Sequence, residues 1–409
     1  MKIRSITCFI DPRHDPQGVL LERMVEFCSD ARETLAELNI EVQSTRLSSP
    51  PFPEISDSCD GAAVTDAVLA FQAAGASHGF AYTSCGPSLP QQPLSESLVP
   101  GLLETAKDTF ISTIIADDRY IYPHAIRSAA HTIKTVSTNT PDGFTNLRFA
   151  ALANTRPYGP FFPGSYAVSN EKPAFSLAIE CADAVLDAFR SKNFLTLQRE
   201  HLIVNLDDFA RKITQALTPL ADEYEMNFKG FDFSPAPFPE PGCSLGGAVE
   251  ALGVELGKAG ALAAAAVVAD TINGGNWKHA GYNGLMLPVL EDSLLAERAA
   301  SGQLSIQDLL LFSTVCGTGL DTVPLPGDVS TGEIESILWD VAALAVRLGK
   351  PLTARLMPVP GKKAGDPTEF DFGYFKNSRV MRVNGQQVRP PLDSSNPIPL
   401  TPRVPNSHL

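Results

Sequence analysis

The stretch from Gly281 to Asp328 opens as GYNGLMLPVLED (281–292), runs through a polar helical segment, and closes as VCGTGLDTVPLPGD (315–328). Its apolar, strand-like runs end in carboxylates. Glu291 and Asp292 follow LMLPVL, Asp321 follows CGTGL, and Asp328 follows TVPLPG, with glycines around each. A strand holds a side chain rigidly, and a glycine turn lets a ligand approach the backbone. Strand, helix, strand in this order, with acids at the strand ends, is how an α/β scaffold presents a site.

The same alternation extends outward. Arg4–Ile10, Ile40–Leu47, Gly79–Thr83, Ser112–Ile115, Phe149–Ala153, Phe175–Ile179, Phe228–Phe233, Leu285–Leu290, Thr322–Leu325 and Thr353–Val359 read as strands. Helices are expected between most of them. Val19–Leu38 places Leu20, Met24, Phe27, Cys28, Ala31 and Leu35 at helical spacing, and Ala62–Ala74 is a second helix. Gly332–Leu348 has a capping box in Ser330 and Glu333, with Gly349 and Pro351 to end it. Ser378–Val383 and Gln386–Val388 flank Asn384-Gly385, a type I′ hairpin signal. About ten strands alternating with helices predict an α/β fold. With no repeat and no linker, one domain is expected over residues 1–390, then an extended or disordered tail over 391–409. The alternative boundary lies near 193–204.

Composition bounds the partners. The 409 residues are 44% hydrophobic and 19% charged, which is globular, with a net charge of −14. No basic run is long enough to track phosphates, so neither nucleic acid nor membrane is expected as a partner. No stretch approaches the roughly 18 apolar residues of a membrane span. Seven scattered cysteines without a CxxC argue against a disulfide framework or zinc ribbon and for a reduced, cytoplasmic protein. Neither GxxxxGK[ST] nor a helix-opening GxGxxG occurs, so no nucleotide cofactor is expected.

Several segments carry candidate chemistry. Asp232 sits mid-strand between Phe231 and Phe233, where a carboxylate needs a partner, a metal or a wet cavity; capping a loop through backbone N–H groups is the plainer role. Glu291 and Asp292 precede a helix, where the dipole alone favours acids, and Asp321 suits a turn. It is their recurrence at strand ends that favours function. His279, in a glycine-rich loop before Leu285, is the best-placed acid/base histidine, and His124 opens a helix in DDRYIYPHAIRSAAH. Cys316 heads a glycine turn, although a small buried hydrophobe is the usual role of such a cysteine. The loop NTRPYGPFFPGSYA (154–167) offers Arg156, Tyr158 and Phe162 to a cleft, and Asn283 stands in the turn before Leu285.

These residues resemble a known family. IRSIT (3–7), the 154–167 loop, Asp232–Pro237, LPVLED, CGTGLD with the later PGD, MPVPGKKAGD (357–366) and MRVNG (381–385) are similar to the domain-of-unknown-function 711 family, also called uncharacterised protein family 0210. The similarity is weaker between Pro50 and Thr145. One departure is Gly257-Lys258-Ala259-Gly260, where many members carry Gly-x-His-Gly. The resemblance implies a ten-stranded α/β barrel like that of pyruvate formate-lyase-type glycyl radical enzymes. It also invites comparison of VMRVNG (380–385) with a glycyl radical motif, Cys316 being the thiyl partner of Gly385; the hairpin is the preferred reading of that glycine.

The expectation is therefore an enzyme acting on a small polar or sugar-like substrate by carboxylate acid/base chemistry, with hydrolysis the first reaction class. Asp232, Glu291, Asp292, Asp321 and His279 are the catalytic candidates, and Arg156, Tyr158, Asn283 and Cys316 the substrate-binding ones. Asp232, Glu291 and Asp321 are candidate ligands for Mg²⁺, Ca²⁺ or Mn²⁺, since clustered carboxylates favour hard cations. The alternatives are a non-catalytic small-molecule or cation-binding regulator and a glycyl radical-type enzyme. A homo-oligomer is compatible with all of them.

Overall fold

The structure is a computed structural model that describes residues 1–191 and 194–403. Eleven strands form one sheet: β1 Lys2–Phe9, β2 Val42–Ser48, β3 Tyr82–Ser88, β4 Thr109–Ala116, β5 Tyr120–Ile121, β6 Phe149–Ala153, β7 Ala174–Glu180, β8 Asn227–Asp232, β9 Gly319–Pro326, β10 Leu352–Val359 and β11 Ile398–Pro399. The main path runs β8-β7-β1-β2-β3-β4-β6-β10-β9, and β5 pairs with both β4 and β11 beside it.

Direction divides that path. β1, β2, β3, β4 and β6 are mutually parallel neighbours. β7 is antiparallel to β1 and parallel to β8, while β10 is antiparallel to β6 and parallel to β9. The fold is thus mixed α/β, with five strands running one way and four the other.

One segment touches both ends of the path. Phe231 N donates to Lys278 O at 2.7 Å and Ala280 N to Phe231 O at 2.8 Å; further on, Gly317 N donates to Leu285 O at 2.9 Å and Val289 N to Asp321 O at 3.1 Å. Single parallel bridges join His279 to β8 and Pro288 to β9. Leu285–Leu290 is therefore beside β9, as its sequence proximity predicts. It is not the regular strand expected, because Pro288 has no N–H to give a ladder.

Among the described residues, eleven helices surround the sheet or pack on one another: α1 Val19–Glu37, α2 Gly61–Ser77, α3 Pro93–Thr105, α4 Pro123–Val136, α5 Ala182–Arg190, α6 Leu195–Glu223, α7 Leu245–Glu250, α8 Ala261–Asn273, α9 Ser293–Ala300, α10 Ile306–Phe312 and α11 Thr331–Leu348. α1 buries Leu21, Met24, Phe27, Cys28, Ala31 and Leu35, the stripe its spacing predicts apart from the register of its first leucine. α11 carries the expected capping box of Ser330 and Glu333 and ends on Gly349 at φ 63°. One apolar cluster extends from Ile3 to Met381. No helix among the described residues is long and apolar enough to cross a membrane.

The hairpin expected around Asn384-Gly385 does not form, and residues 382–389 contain no strand. Gly385 is not left-handed, and it lies against α11, where an added Cβ would meet Ser336 Oγ at 2.8 Å and Glu333 Cα at 3.1 Å. Close packing on a helix overrides the local turn signal. Its nearest neighbours are in α11 and do not include Cys316. In the tail, β11 pairs with β5, and Leu400 N and Arg403 N donate to Arg119 O and Arg347 O. Residues 404–409 of the expected tail lie outside the described residues. So does residue 193 of the alternative boundary; Leu195 to residue 204 begin α6.

Candidate functional site

Three buried strands carry an arginine toward one place: Arg4 on β1, Arg46 on β2 and Arg355 on β10. Glu291 joins them from the end of the irregular segment, and Asp232 and Ser234 from the end of β8. Together they line a small cavity of about 50 Å³. Phe161, Phe162 and Met286 supply apolar wall.

The charges form a network. Arg355 Nη2 donates to Glu291 Oε1 at 2.9 Å, and its Nε donates to Asp321 Oδ1 at 2.5 Å. Arg4 Nη2 reaches Glu291 Oε2 at 3.4 Å. The Arg355, Glu291 and Asp321 side chains are 6%, 6% and 0% exposed, so these pairs are desolvated, and removal of one member leaves a bare buried charge. Burial opposes the charge on Arg355, but Asp321 and Glu291 hold its pKa above the ordinary arginine value. Burial and the like charge of Glu291 push the Asp321 carboxyl up, against the pull of Arg355. Asp321 Oδ2 is buried with no hydrogen-bond partner among the described residues. The next residue, Thr322, sits at φ 43°, a region β-branched residues avoid, and its Oγ1 accepts from Leu290 N at 3.3 Å.

Arg46 has no such pairing. Its Nε donates to Ser44 Oγ at 3.2 Å, and its guanidinium lies 5.3 Å from the Phe162 ring centroid and 5.8 Å from that of Tyr82. Burial, then the neighbouring charge of Arg4, pull its pKa down to about 9.

The other expected residues are placed as follows. Asp232 lines the cavity, yet its carboxylate accepts from Ser234 N at 2.9 Å and from Tyr282 N and Asn283 N, both at 3.0 Å. This is the loop-capping role. Gly281, at φ 73°, is fixed by the same contact, since a Cβ there would lie 2.1 Å from Asp232 Oδ2. Asn283 braces the loop: its Oδ1 accepts from Phe233 N and Trp277 Nε1, and its Nδ2 donates to Phe231 O and Ala280 O. Asp292 caps two helices. It accepts from Leu294 N and Leu295 N of α9, from Leu245 N and Gly246 N of α7, and from Ser244 Oγ.

His279 is exposed and stacks on Trp277 at 5.5 Å. Arg156 is exposed. Tyr158 donates to Glu171 at 2.7 Å beneath Lys229. Cys316 is buried, its carbonyl accepting from Lys350 Nζ. None of these four lines the cavity. The structure thus brings Asp232 and Glu291 to the cavity and ties Asp321 to it through Arg355. No group of three or more His, Cys, Asp or Glu side chains placed to hold a metal occurs among the described residues.

The three arginines were the unforeseen part of the site. Their signal is the one that singled out Asp232, a charge inside an apolar strand: Arg4 in IRSIT, Arg46 in VQSTRLS and Arg355 in LTARLMPV.

Comparison with known proteins gives a consistent answer. The sequence profile of the family described as "Uncharacterised ACR (DUF711)" matches residues 1–377. A UPF0210 protein of Methanopyrus kandleri is 29% identical, covering 91% of this chain and 89% of its own. One from Clostridium perfringens is 27% identical over 94% of this chain and 91% of its own, and one from Pyrobaculum aerophilum is 30% identical over 74% and 68%.

Proposed function

The chain belongs to the DUF711 (UPF0210) family, and on that premise we propose that it is an enzyme performing proton-transfer chemistry on a small polar substrate in the Arg4–Arg46–Arg355 cavity. The observation that carries this is Glu291, a buried carboxylate lining a cavity with two guanidiniums set against it. Glu291 exchanges the proton. Arg355 and Arg4 hold its charge and stabilise charge that develops on the substrate, a role for which fixed donors in a dry site are well suited.

The arrangement favours proton transfer over hydrolysis. A carboxylate pair that activates water needs a second available carboxyl. Asp232 is occupied by three N–H groups, and Asp321, bound to Arg355 through Oδ1, does not line the cavity. A divalent ion between Glu291 and Asp321 would compete with the Arg355 guanidinium for both. The two parallel strand groups, together with residues 278–289 between β8 and β9, support the ten-stranded barrel that the family resemblance implies. In that barrel the cavity lies inside. Binding without turnover is the second reading, favoured by the small volume of the cavity.

The test is proton–deuterium exchange followed by NMR, with the purified chain in D₂O and a panel of small hydroxy acids, amino acids and sugars. Exchange at a carbon-bound position of one compound, abolished by Glu291→Gln, is the expected result. Exchange that survives Glu291→Gln sinks the assignment. A compound that binds but never exchanges assigns the non-catalytic role.

A further inference from the structure

We propose that the ligand of this cavity is a small monocarboxylate gripped by Arg46; the proposal rests on the proton-transfer reading of the same site. Of the three guanidiniums lining the cavity, two are matched: Arg355 by Glu291 and Asp321, Arg4 by Glu291. Arg46 is not. Its Nε is given to Ser44, its guanidinium lies over the Phe162 and Tyr82 rings, and it forms no ion pair with a described carboxylate. Ring contacts and the Nε bond leave the Nη1–Nη2 pair without a hydrogen-bond partner, and that pair is a fork that can bind an anion bidentately. Arg46 is half-buried in the cavity wall and no described residue accepts from its Nη groups, so an anion in the cavity can take both of these charged donors.

The charge and size of the site choose the anion. Glu291 and Asp232 line the same cavity, so a phosphoryl dianion would meet two carboxylates. A monoanion matches the one unpaired guanidinium. A cavity of about 50 Å³ lies far below the several hundred Å³ that enclose a nucleotide-sized ligand, and leaves room for a few heavy atoms beyond a carboxylate. Phe161, Phe162 and Met286 give a short carbon arm an apolar wall. A carboxylate fixed by Arg46 with its neighbouring carbon toward Glu291 is also the geometry in which Glu291 can exchange a proton beside it.

The experiment is titration calorimetry on the full chain with acetate, lactate, the neutral analogue lactamide and inorganic phosphate. Saturable binding of lactate or acetate is expected, with none of lactamide or phosphate. Arg46→Gln should weaken it by at least about tenfold, the effect of losing a charge-assisted bidentate pair. Arg46→Lys keeps the charge without the fork and should fall between; circular dichroism checks both folds, and Arg46→Lys decides if Arg46→Gln does not fold. Phosphate or lactamide binding as well as lactate, carboxylate binding indifferent to Arg46→Gln and Arg46→Lys, or no saturation by either carboxylate overturns the proposal. Glu291→Gln should bind lactate at least as tightly as the wild type, because one carboxylate fewer faces the anion. Lactate that binds through Arg46 without proton exchange would remove the proton-transfer reading and leave the carboxylate site standing.

Discussion

Arg355 sits between two acids with almost no water around it, and its loss should be felt as stability as well as function. Arg355→Met leaves Glu291 and Asp321 buried with only the long Arg4 contact between them. The expected cost is about 3–5 kcal/mol, the range for breaking a buried pair from one side. Urea denaturation measures it. An unchanged midpoint would mean that water reaches the acids and that the network is not desolvated. Neutralising the acids in the same background, with Glu291→Gln and Asp321→Asn, should restore part of the loss.

A second buried acid gives a pH signature. Glu96 lies beside the His124 ring, with its Oε1 3.4 Å from Nε2, and burial raises its pKa from 4.5 to about 7. A carboxyl whose folded pKa is raised keeps its proton longer in the folded state. Its contribution is complete below the unfolded value and is lost as pH rises through about 7. The loss between about pH 5 and pH 8 should approach at most about 3 kcal/mol, and Glu96→Gln should remove that part of the slope. Denaturant midpoints at both pH values decide the matter: parallel curves for wild type and variant would show that Glu96 titrates normally.

Legibility at this scale followed the chemistry that was sought. Acids at strand ends pointed to Glu291 and Asp321, and a mid-strand acid to Asp232; Asp232 and Glu291 line the cavity and Asp321 joins its charge network. Nothing local told Asp232, which the backbone neutralises, from Glu291, which arginines neutralise. That difference depends on partners from β1 and β10, 287 and 64 residues from Glu291. Of the three residues drawn from the 154–167 loop, Phe162 lines the cavity beside the unforeseen Phe161, while Arg156 and Tyr158 do not.

Among the elements, Asp292 joins two helices through one side chain. Five donors converge on it from α7, α9 and Ser244, so Asp292→Ala strips both N-termini at once and leaves those donors buried. A loss of about 2–4 kcal/mol is expected, more than a single exposed cap would cost. Asp292→Asn should lose less, as its Oδ1 can still accept. Thermal unfolding separates the cases, and an alanine variant no worse than a one-cap loss would mean that α7 closes on another acceptor. Element positions themselves were largely readable. Phe149–Ala153 is the same in sequence and structure because a wholly buried strand bounded by a helix and a loop has no competing pattern. Asn384-Gly385 misled for the opposite reason, since a two-residue turn signal is weaker than contact with the first turns of α11.

For the molecule as a whole, residues 278–289 decide whether the sheet ends are joined. Their amides at Ala280 and Val289 and those they cover at Phe231 and Gly317 should exchange with solvent as slowly as the amides of β8 and β9. Hydrogen exchange read by mass spectrometry tests this. Exchange at the rate of a surface loop would leave β8 and β9 as open edges. The α/β class was legible from alternation alone. The order of the strands was not, because the antiparallel seams β1–β7 and β6–β10 join segments far apart in the chain, for which no local pattern codes.

The β6–β10 seam has a consequence for how the protein is made. Ala153 pairs with Leu352, so β6 waits for a partner translated 199 residues later. At about 5–20 residues per second that is roughly 10–40 s, during which a strand of five small and apolar residues presents an unsatisfied edge. The nascent chain must be shielded over that interval, by its own helices or by a chaperone at the ribosome. Slowing translation between α4 and β10 should therefore lower the soluble yield, although it changes no residue of the finished protein.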